Sequence, residues 1–441
     1  MKSTFKLIVD YTDIASGKKQ TLPAVYTSKG ILISHLRYLA WNSDKSQSWK
    51  QRSVFSVRLL IDYVEAAFGF KKTTALLKSF TEALVTGTID YESSTDPLGL
   101  YWKPRDLVDA NNILSNITNY TDFIARQEGH DDSLINPFRE ATGWEERMNW
   151  CAYYNKQANV FLNHLSSYSE AKKMAGRKRL IYTPMQMMVS NEKAERFPED
   201  KIENLLMKGF YARNKHDYRS QLITMLMNYG GLRKSEVFHL YISDITVHPV
   251  HADEALVRVY HPEYGRSPDL KYKNRSEYLI SETDYKSRNK YQITERLYSG
   301  WKNPMLASKD GYFEVVFNPA SKARDFINLW VKYLKFQRVE PVRFHPFAFT
   351  NDKGEPETLK NFQQRHKRAV ERIGLICKKE FGTTEHGHRH AYGYRGRKMG
   401  FSQVELQKMM HHKSPNSCLI YIKPTNEDVR DQMRNLNNEK G

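Results

Sequence analysis

The chain has 441 residues, 40% hydrophobic and 12% aromatic, which suits two or three domains with real cores and excludes a disordered polymer. Its 68 Lys and Arg against 50 Asp and Glu leave a net charge of +18 and a pI near 9.5, an excess that favours a polyanion as partner, because each neutralised phosphate releases counterions. The three scattered cysteines, Cys151, Cys377 and Cys418, exclude a disulfide framework or a cysteine-rich zinc site. No run of about 18 apolar residues predicts a membrane span, and MKSTFKLIVDYTD meets charge too early for a signal peptide. The expected location is cytoplasmic and nucleoid-associated, with no membrane partner.

Residues 1–44 read as a β-rich segment: TFKLIVDYTD alternates, Ser16-Gly17 signals a turn, and LPAVYT returns as a second strand. Over 45–170 the period becomes helical. Val57, Leu60, Ile61, Val64 and Phe68 make one apolar stripe, and Leu107, Ala110, Leu114, Ile117, Thr121 and Ile124 make another that Gly129 ends. Cys151, Tyr154, Ala158, Phe161 and Leu165 make a third, so a helical domain is expected, with 90–104 as a connection.

Residues 171–194 read as a basic linker. KKMAGRKRL carries five cations in nine residues, and Arg177, Lys178 and Arg179 are candidates to lie along a DNA backbone as well as in solvent. A second compact region spans 195–425, starting near Phe197-Pro198-Glu199-Asp200. A helix ends at NYGGLR, strands are expected around YISDITV, ALVRVYH and YFEVVFN, and helices around 321–337, 357–373 and 402–411. Ser402 and Glu405 predict a capping box on the last helix. Residues 426–441 form a C-terminal tail. In the helix near 357–373, Lys360, Arg365, Lys367 and Arg368 lie off the apolar stripe, as candidates for a DNA groove or as an ordinary solvated face.

Four pieces of the C-terminal half belong together: Gly230-Gly231-Leu232-Arg233-Lys234-Ser235-Glu236, His386-Gly387-His388-Arg389-His390, Met410-His411-His412, and Tyr421, nine residues after His412 (421 − 412). In this order they resemble the tyrosine recombinase, or phage integrase, family, which carries Gly-Leu-Arg-x-x-Glu, then His-x-x-Arg-His, then a histidine nine residues before a nucleophilic tyrosine. The match is specific over about 195–425 and only general over 46–170. The long 261–310 stretch, GWKNP and HGHRHAYG point within the family toward recombinases of bacterial mobile islands. Two departures stand out: Met410-His411 replaces a usual Leu-Gly, and His388 replaces a usual apolar residue.

The resemblance implies a mainly α fold with a small antiparallel sheet, a helical core-DNA-binding domain and a mixed α/β catalytic domain closing as a C-shaped clamp on double-stranded DNA. It implies four protomers on two DNA sites and a 3′-phosphotyrosyl intermediate on Tyr421, formed without ATP, metal or other cofactor. The chemistry agrees with the residue types. Extra charge on the phosphate oxygens in the transition state suits guanidinium clamps, here Arg233 and Arg389. A tyrosine with a pKa of about 10 needs a base or a positive field. His386 and His412 are the candidates for base and phosphate contact, with Glu236 orienting that neighbourhood. A lysine should protonate the 5′-oxygen, and Lys302, in Ser299-Gly300-Trp301-Lys302-Asn303-Pro304, is preferred to Lys309. Three other readings stand beside this one: a type IB topoisomerase, a DNA-binding regulator of the same fold without chemistry, and a metal held by the clustered histidines.

Overall fold

The structure is a computed structural model that describes residues 4–13, 17, 19–67, 69–70, 72–127, 134–157, 168–183, 195–422 and 430. The chain divides into two compact units, 1–190 and 191–441.

In the first unit, strands β1 (Phe5–Thr12) and β2 (Lys19–Thr27) pair antiparallel from Phe5↔Tyr26 to Thr12↔Lys19, and β3 (Gly30–Ile31) extends β2. The expected hairpin is therefore present, though Ser16 lies outside the described residues. It is no separate preface. Leu22, Ala24 and Val25 of β2 share one core with Leu36 and Leu39 of α1 (Ile33–Trp41), Val54 and Val57 of α2 (Gln47–Ala66), and Tyr120 of α4 (Leu107–Gln127). A second core joins Leu59 and Tyr63 of α2, Phe80 and Leu84 of α3 (Thr73–Thr86), and Ala110, Leu114 and Ile117 of α4.

Two stripes need correction. Val64 is exposed, because α2 buries instead the face of Ser53, Val54, Val57 and Tyr63. Cys151, on α5 (Gly143–Gln157), is exposed rather than core. Phe68, Gly129, Ala158, Phe161 and Leu165 lie outside the described residues. The basic segment also differs from a bare linker: α6 (Tyr168–Ala175) leads into β5 (Arg177–Arg179), which pairs antiparallel with β4 (Phe138–Glu140). Lys178 meets Glu145 at 2.8 Å, and Arg179 pairs with Asp122 and donates to the Asn136 carbonyl at 2.6 Å. Two of the three cations are thus already held by acids, a pairing between segments that linear charge density does not reveal. Residues 184–194 lie outside the described residues.

The second unit starts with α7 (Ile202–Asn204), which continues as a π turn over Leu205–Gly209, then a minimal hairpin of β6 (Tyr211–Ala212) and β7 (Lys215–His216). Helix α8 (Tyr218–Asn228), capped by the Asp217 carboxylate on the Ser220 N–H, is buried all round, from Arg219 to Asn228. Such a helix must be central, and it packs against α11 (Ser321–Phe336), α12 (Leu359–Arg372) and α13 (Glu385–Lys398). After α9 (Lys234–Val237) comes an antiparallel sheet in the order β10-β9-β8, made of β8 (Ile245–Val247), β9 (Ala255–Tyr260) and β10 (Tyr312–Glu314), with Thr246↔Leu256 and Phe313↔Val259 in register. Val257, Val259 and Phe313 face Leu226, Phe326, Trp330 and Phe349 in the core. Then come α14 (Gln403–Met409), with the expected Ser402–Glu405 capping box, and α15 (Leu419–Ile422).

The connection from β9 to β10, residues 261–311, carries α10 (Arg275–Glu282) and is pinned by two buried arginines. Arg275 forms a buried ion pair with Asp244, lying between the rings of Tyr241 and Tyr260. Arg288 donates to the carbonyls of Leu297, Phe238 and Glu357 at 2.8–3.0 Å. Removing one partner from a buried pair strands the other's charge, at a cost of about 3–5 kcal/mol. Asp244→Ala should therefore destabilise this unit by that amount, read as a lower denaturant midpoint. A change under about 1 kcal/mol would show that the pair is not desolvated in solution.

Candidate active site

Helix α8 delivers the chain to Tyr229-Gly230-Gly231. Gly231 has φ 66°, and a Cβ there would stand 2.5 Å from the Tyr392 ring, so the turn requires glycine. Arg233 then caps α9. The Glu236 carboxylate accepts the Arg233 backbone N–H at 2.8 Å and its Nη1 at 2.6 Å. Glu236 is fully buried, and Oε2, the oxygen that accepts the Arg233 backbone N–H, stands 4.0 Å from Nη1 of Arg389. Arg389 is buried and donates to the carbonyls of Gly231 and Met410. Burial first, and the charge of Arg233 next, lower its pKa below the usual guanidinium value. Two cations around one buried anion leave a positive excess directed at whatever anion enters.

HGHRH is helical. On α13, His386, Arg389, His390 and Gly393 fall at i, i+3, i+4 and i+7, hence on one face. His388 falls on the other face and enters the core, stacked on Phe197 at 4.3 Å. Asn228 turns its Oδ1 to Arg395 (2.9 Å), so its Nδ2 donates to Nδ1 of His388 (3.1 Å). His388 then donates from Nε2 to Nε2 of His366 on α12 (2.8 Å). A usual apolar position is here filled by a polar residue with both ring nitrogens satisfied.

After α14 the chain turns at His411, whose φ of 52° is left-handed. A glycine takes this conformation freely, whereas a non-glycine residue is strained by about 1–3 kcal/mol. His411 is held there by stacking on Phe313 at 3.8 Å and by its carbonyl, which accepts the Met305 N–H at 3.1 Å. His412 directs Nδ1 to Sγ of Cys418 at 3.1 Å and lies parallel to the Tyr421 ring, with centroids 6.3 Å apart. Tyr421 is 5% exposed and passes Gly393, where a Cβ would come within 2.9 Å of its ring. Its hydroxyl lies 3.2 Å from Nδ1 of His390, whose ring meets that of His386 edge to face at 4.4 Å.

Burial raises the Tyr421 pKa, against the pull of the Arg389 and Arg233 charges. Burial and the same two cations push His412 down to about 3. His386, exposed at one side, is lowered by the partial burial of its ring and then by the charges of Arg389, Lys302 and Lys234. Lys302 is thus close enough for its charge to act on the site. Its loop is tied down on both sides, by the Ser299 hydroxyl donating to the Ser235 carbonyl at 2.8 Å and by the Met305 N–H on His411. Lys309 is exposed, in the turn closed by the Ala307 N–H on the Tyr312 carbonyl.

Arg233, Glu236, His386, Arg389, His412 and Tyr421 therefore gather in one place, with Lys302 beside them. His390, to which the motif assigned no catalytic role, is the histidine nearest the tyrosine hydroxyl; its signal is the i, i+4 spacing from His386, visible once the segment is taken as helix. Among the described residues no group of three or more His, Cys, Asp or Glu is placed to hold a metal, since His388 and His411 turn into the core. No described helix is long and apolar enough to cross a membrane. On α12, Lys360, Lys367 and Arg368 are exposed, Lys367 lies 3.8 Å from Glu371, and Arg365 is bound to Glu357 at 2.7 Å.

The buried histidines set a pH dependence. Burial pushes His366 down to about 4 and His388 well below its ordinary value, while an unfolded histidine titrates near 6.5. Between these values the unfolded chain binds more protons than the folded one. Stability is therefore full above about pH 6.5 and is lost as pH falls toward 4, by about 1.4 kcal/mol for each tenfold difference in proton affinity between the two states. Urea unfolding followed across that window should show a falling midpoint. A flat profile would mean that the His366–His388 pair is open to water.

No protein-family model matches this sequence, and no curated protein does. Among solved structures the chain is similar to the XerA recombinase (14% identity, 92% of this chain and 96% of that chain, TM-score 0.35). It is also similar to the XerH site-specific recombinase bound to a palindromic difH substrate (13% identity, 86% and 96%, TM-score 0.39). A lambda integrase dimer bound to a COC′ core site is a third (12% identity, 96% and 94%, TM-score 0.42). None of these TM-scores reaches 0.5, so the functional assignment rests on the chain's own residues. In motif order the chain resembles tyrosine recombinases and integrases.

Proposed function

We propose that this chain is a site-specific DNA recombinase that breaks and rejoins DNA through a 3′-phosphotyrosyl bond to Tyr421. The observation that carries this reading is the Tyr421 hydroxyl held beside a histidine, next to two guanidinium groups that share one buried carboxylate. A phosphodiester lodged against Arg233 and Arg389 would have its non-bridging oxygens bound by fixed donors whose charge grows in value as the transition state forms. Attack by Oη on phosphorus forms the phosphotyrosyl ester and releases the 5′-oxygen, which Lys302 protonates. The ester conserves the bond energy, so rejoining needs no ATP. Arg177 and the exposed Lys360, Lys367 and Arg368 are proposed backbone contacts. Lys178, Arg179 and Arg365 are weaker candidates, because each already holds an acid. Closure of the two units on double-stranded DNA, and assembly of four protomers on two sites, belong to the same proposal.

The test uses a library of nicked duplexes with randomised sequence, resolved on a denaturing gel. Wild-type protein should retain DNA covalently, and Tyr421→Phe should abolish adducts while leaving DNA binding nearly intact. Adducts persisting in that variant would move the nucleophile elsewhere.

The lysine is tested on the recovered duplex with the scissile 5′-oxygen replaced by sulfur, a leaving group that needs little protonation. Lys302→Ala should cripple cleavage of normal DNA by about a hundredfold or more, the scale of a lost general acid, and be largely rescued on the 5′-thio duplex. Lys309→Ala should show a mild defect equal on both. The reverse pattern would assign the acid to Lys309.

A further inference from the structure

Three histidines surround Tyr421, and their geometry is unequal. His412 has Nδ1 engaged with Cys418 and lies parallel to the tyrosine ring, with centroids 6.3 Å apart. His386 is exposed and touches the ring of His390 edge to face. Only for His390 does a ring nitrogen reach the reacting atom, with Nδ1 3.2 Å from Oη. Helix geometry produces this: Arg389 turns under toward Gly231 and Met410, and the next residue on α13 presents its ring to α15.

A phenol can donate or accept, and in the tautomer that carries the imidazole proton on Nε2 the His390 Nδ1 facing it accepts the Tyr421 proton. We propose that His390 is the general base of strand cleavage, taking the Tyr421 hydroxyl proton on Nδ1 as Oη attacks the DNA phosphorus. This rests on the reading of Tyr421 as the nucleophile. In the step, the P–Oη bond forms and the P–O5′ bond breaks. The Oη proton passes to Nδ1, and the electron pair of the broken bond leaves on the 5′-oxygen, which is protonated separately. On rejoining, the 5′-hydroxyl attacks, Oη departs, and Nδ1 returns the proton to it.

The surrounding charge suits the role. Burial, then His386, Arg389 and Lys379, hold His390 at a pKa of about 4, so it stands neutral and able to accept. A phosphodiester bound at Arg233 and Arg389 offsets part of that positive field and makes the nitrogen a better base only when substrate is present. Without DNA, burial keeps Tyr421 protonated and unreactive.

The experiment uses the full chain and the nicked duplex recovered from the randomised library, read as the single-turnover rate of adduct formation. His390→Ala should slow it by about 10²–10⁴-fold, the range for a lost general base. His390→Asn keeps an acceptor atom near the Nδ1 position but cannot take a proton, and should be as slow. With 3,5-difluorotyrosine at position 421, a more acidic phenol that needs less help, the deficit of both variants should shrink at least tenfold. Restoration by Asn, or an equal deficit with both phenols, would make His390 a positioning residue and overturn the proposal. Should both variants fail to fold, the unmutated protein carries the test on the 5′-thio duplex, where the tyrosine proton is the one in flight. Slower reaction in D2O is expected, and no slowing overturns the proposal. Adducts from wild-type protein with undiminished rates in both variants would sink His390 alone. No adducts from wild-type protein would sink the Tyr421 reading and this proposal together.

Discussion

One buried carboxylate organises the candidate site. Glu236 binds the backbone and side chain of Arg233 and stands within 4.0 Å of Arg389, so a buried carboxylate holds two like charges near each other, Arg389 buried and Arg233 partly open. A single anion offsets only part of the two cations. The remainder favours an anion there and, second to burial, helps to keep His386, His390 and His412 neutral. The same field opposes the burial that raises the Tyr421 pKa. The two cations thus pull on the Tyr421 hydroxyl in one direction while its burial pulls in the other.

That arrangement requires rigid support, and the central supporting element is a buried helix. Helix α8 has no solvent face, and its end carries the turn that places Arg233. Asn228, the last residue of that helix, is tied by Arg395 and His388 to α13, the helix that carries Arg389 and His390. The long connection between β9 and β10 is anchored by the Arg275–Asp244 pair and by Arg288 on three carbonyls, and then reaches the site through Ser299 and Met305. Its length therefore does not leave Lys302 on an untethered loop. Backbone N–H groups at Gly265, Arg266, Arg275, Ser299 and Met305 find carbonyl partners along it.

Both departures from the motif pattern that the sequence resembles acquire physical reasons. His388 occupies an apolar position because Asn228 and His366 satisfy both ring nitrogens and Phe197 covers its face. His411 occupies a glycine position with its strained φ offset by stacking on Phe313 and by the Met305 hydrogen bond. A core can hold a polar residue when each of its polar atoms finds a partner, and for His388 the partners come from α8 and α12.

Much was legible in the residues alone. The hairpin of β1 and β2 shows in alternation, α14 in its Ser402–Glu405 cap, and the clamp residues in Gly231-Leu232-Arg233-x-x-Glu236 and His386-x-x-Arg389, because these depend on neighbours within a few positions. The side chains around the tyrosine, as residue types in a fixed order, were determined by the sequence. Which histidine meets the hydroxyl was not. That depends on α15 crossing α13 at Gly393, a contact between segments that no local period encodes. The basic segment likewise had a composition but no partners until β5 paired with β4 and brought Lys178 to Glu145 and Arg179 toward Asp122. Local chemistry fixes what each residue can do; long-range packing decides what it faces, because a charge or a ring nitrogen acts only on the group that the fold sets within a few ångströms of it.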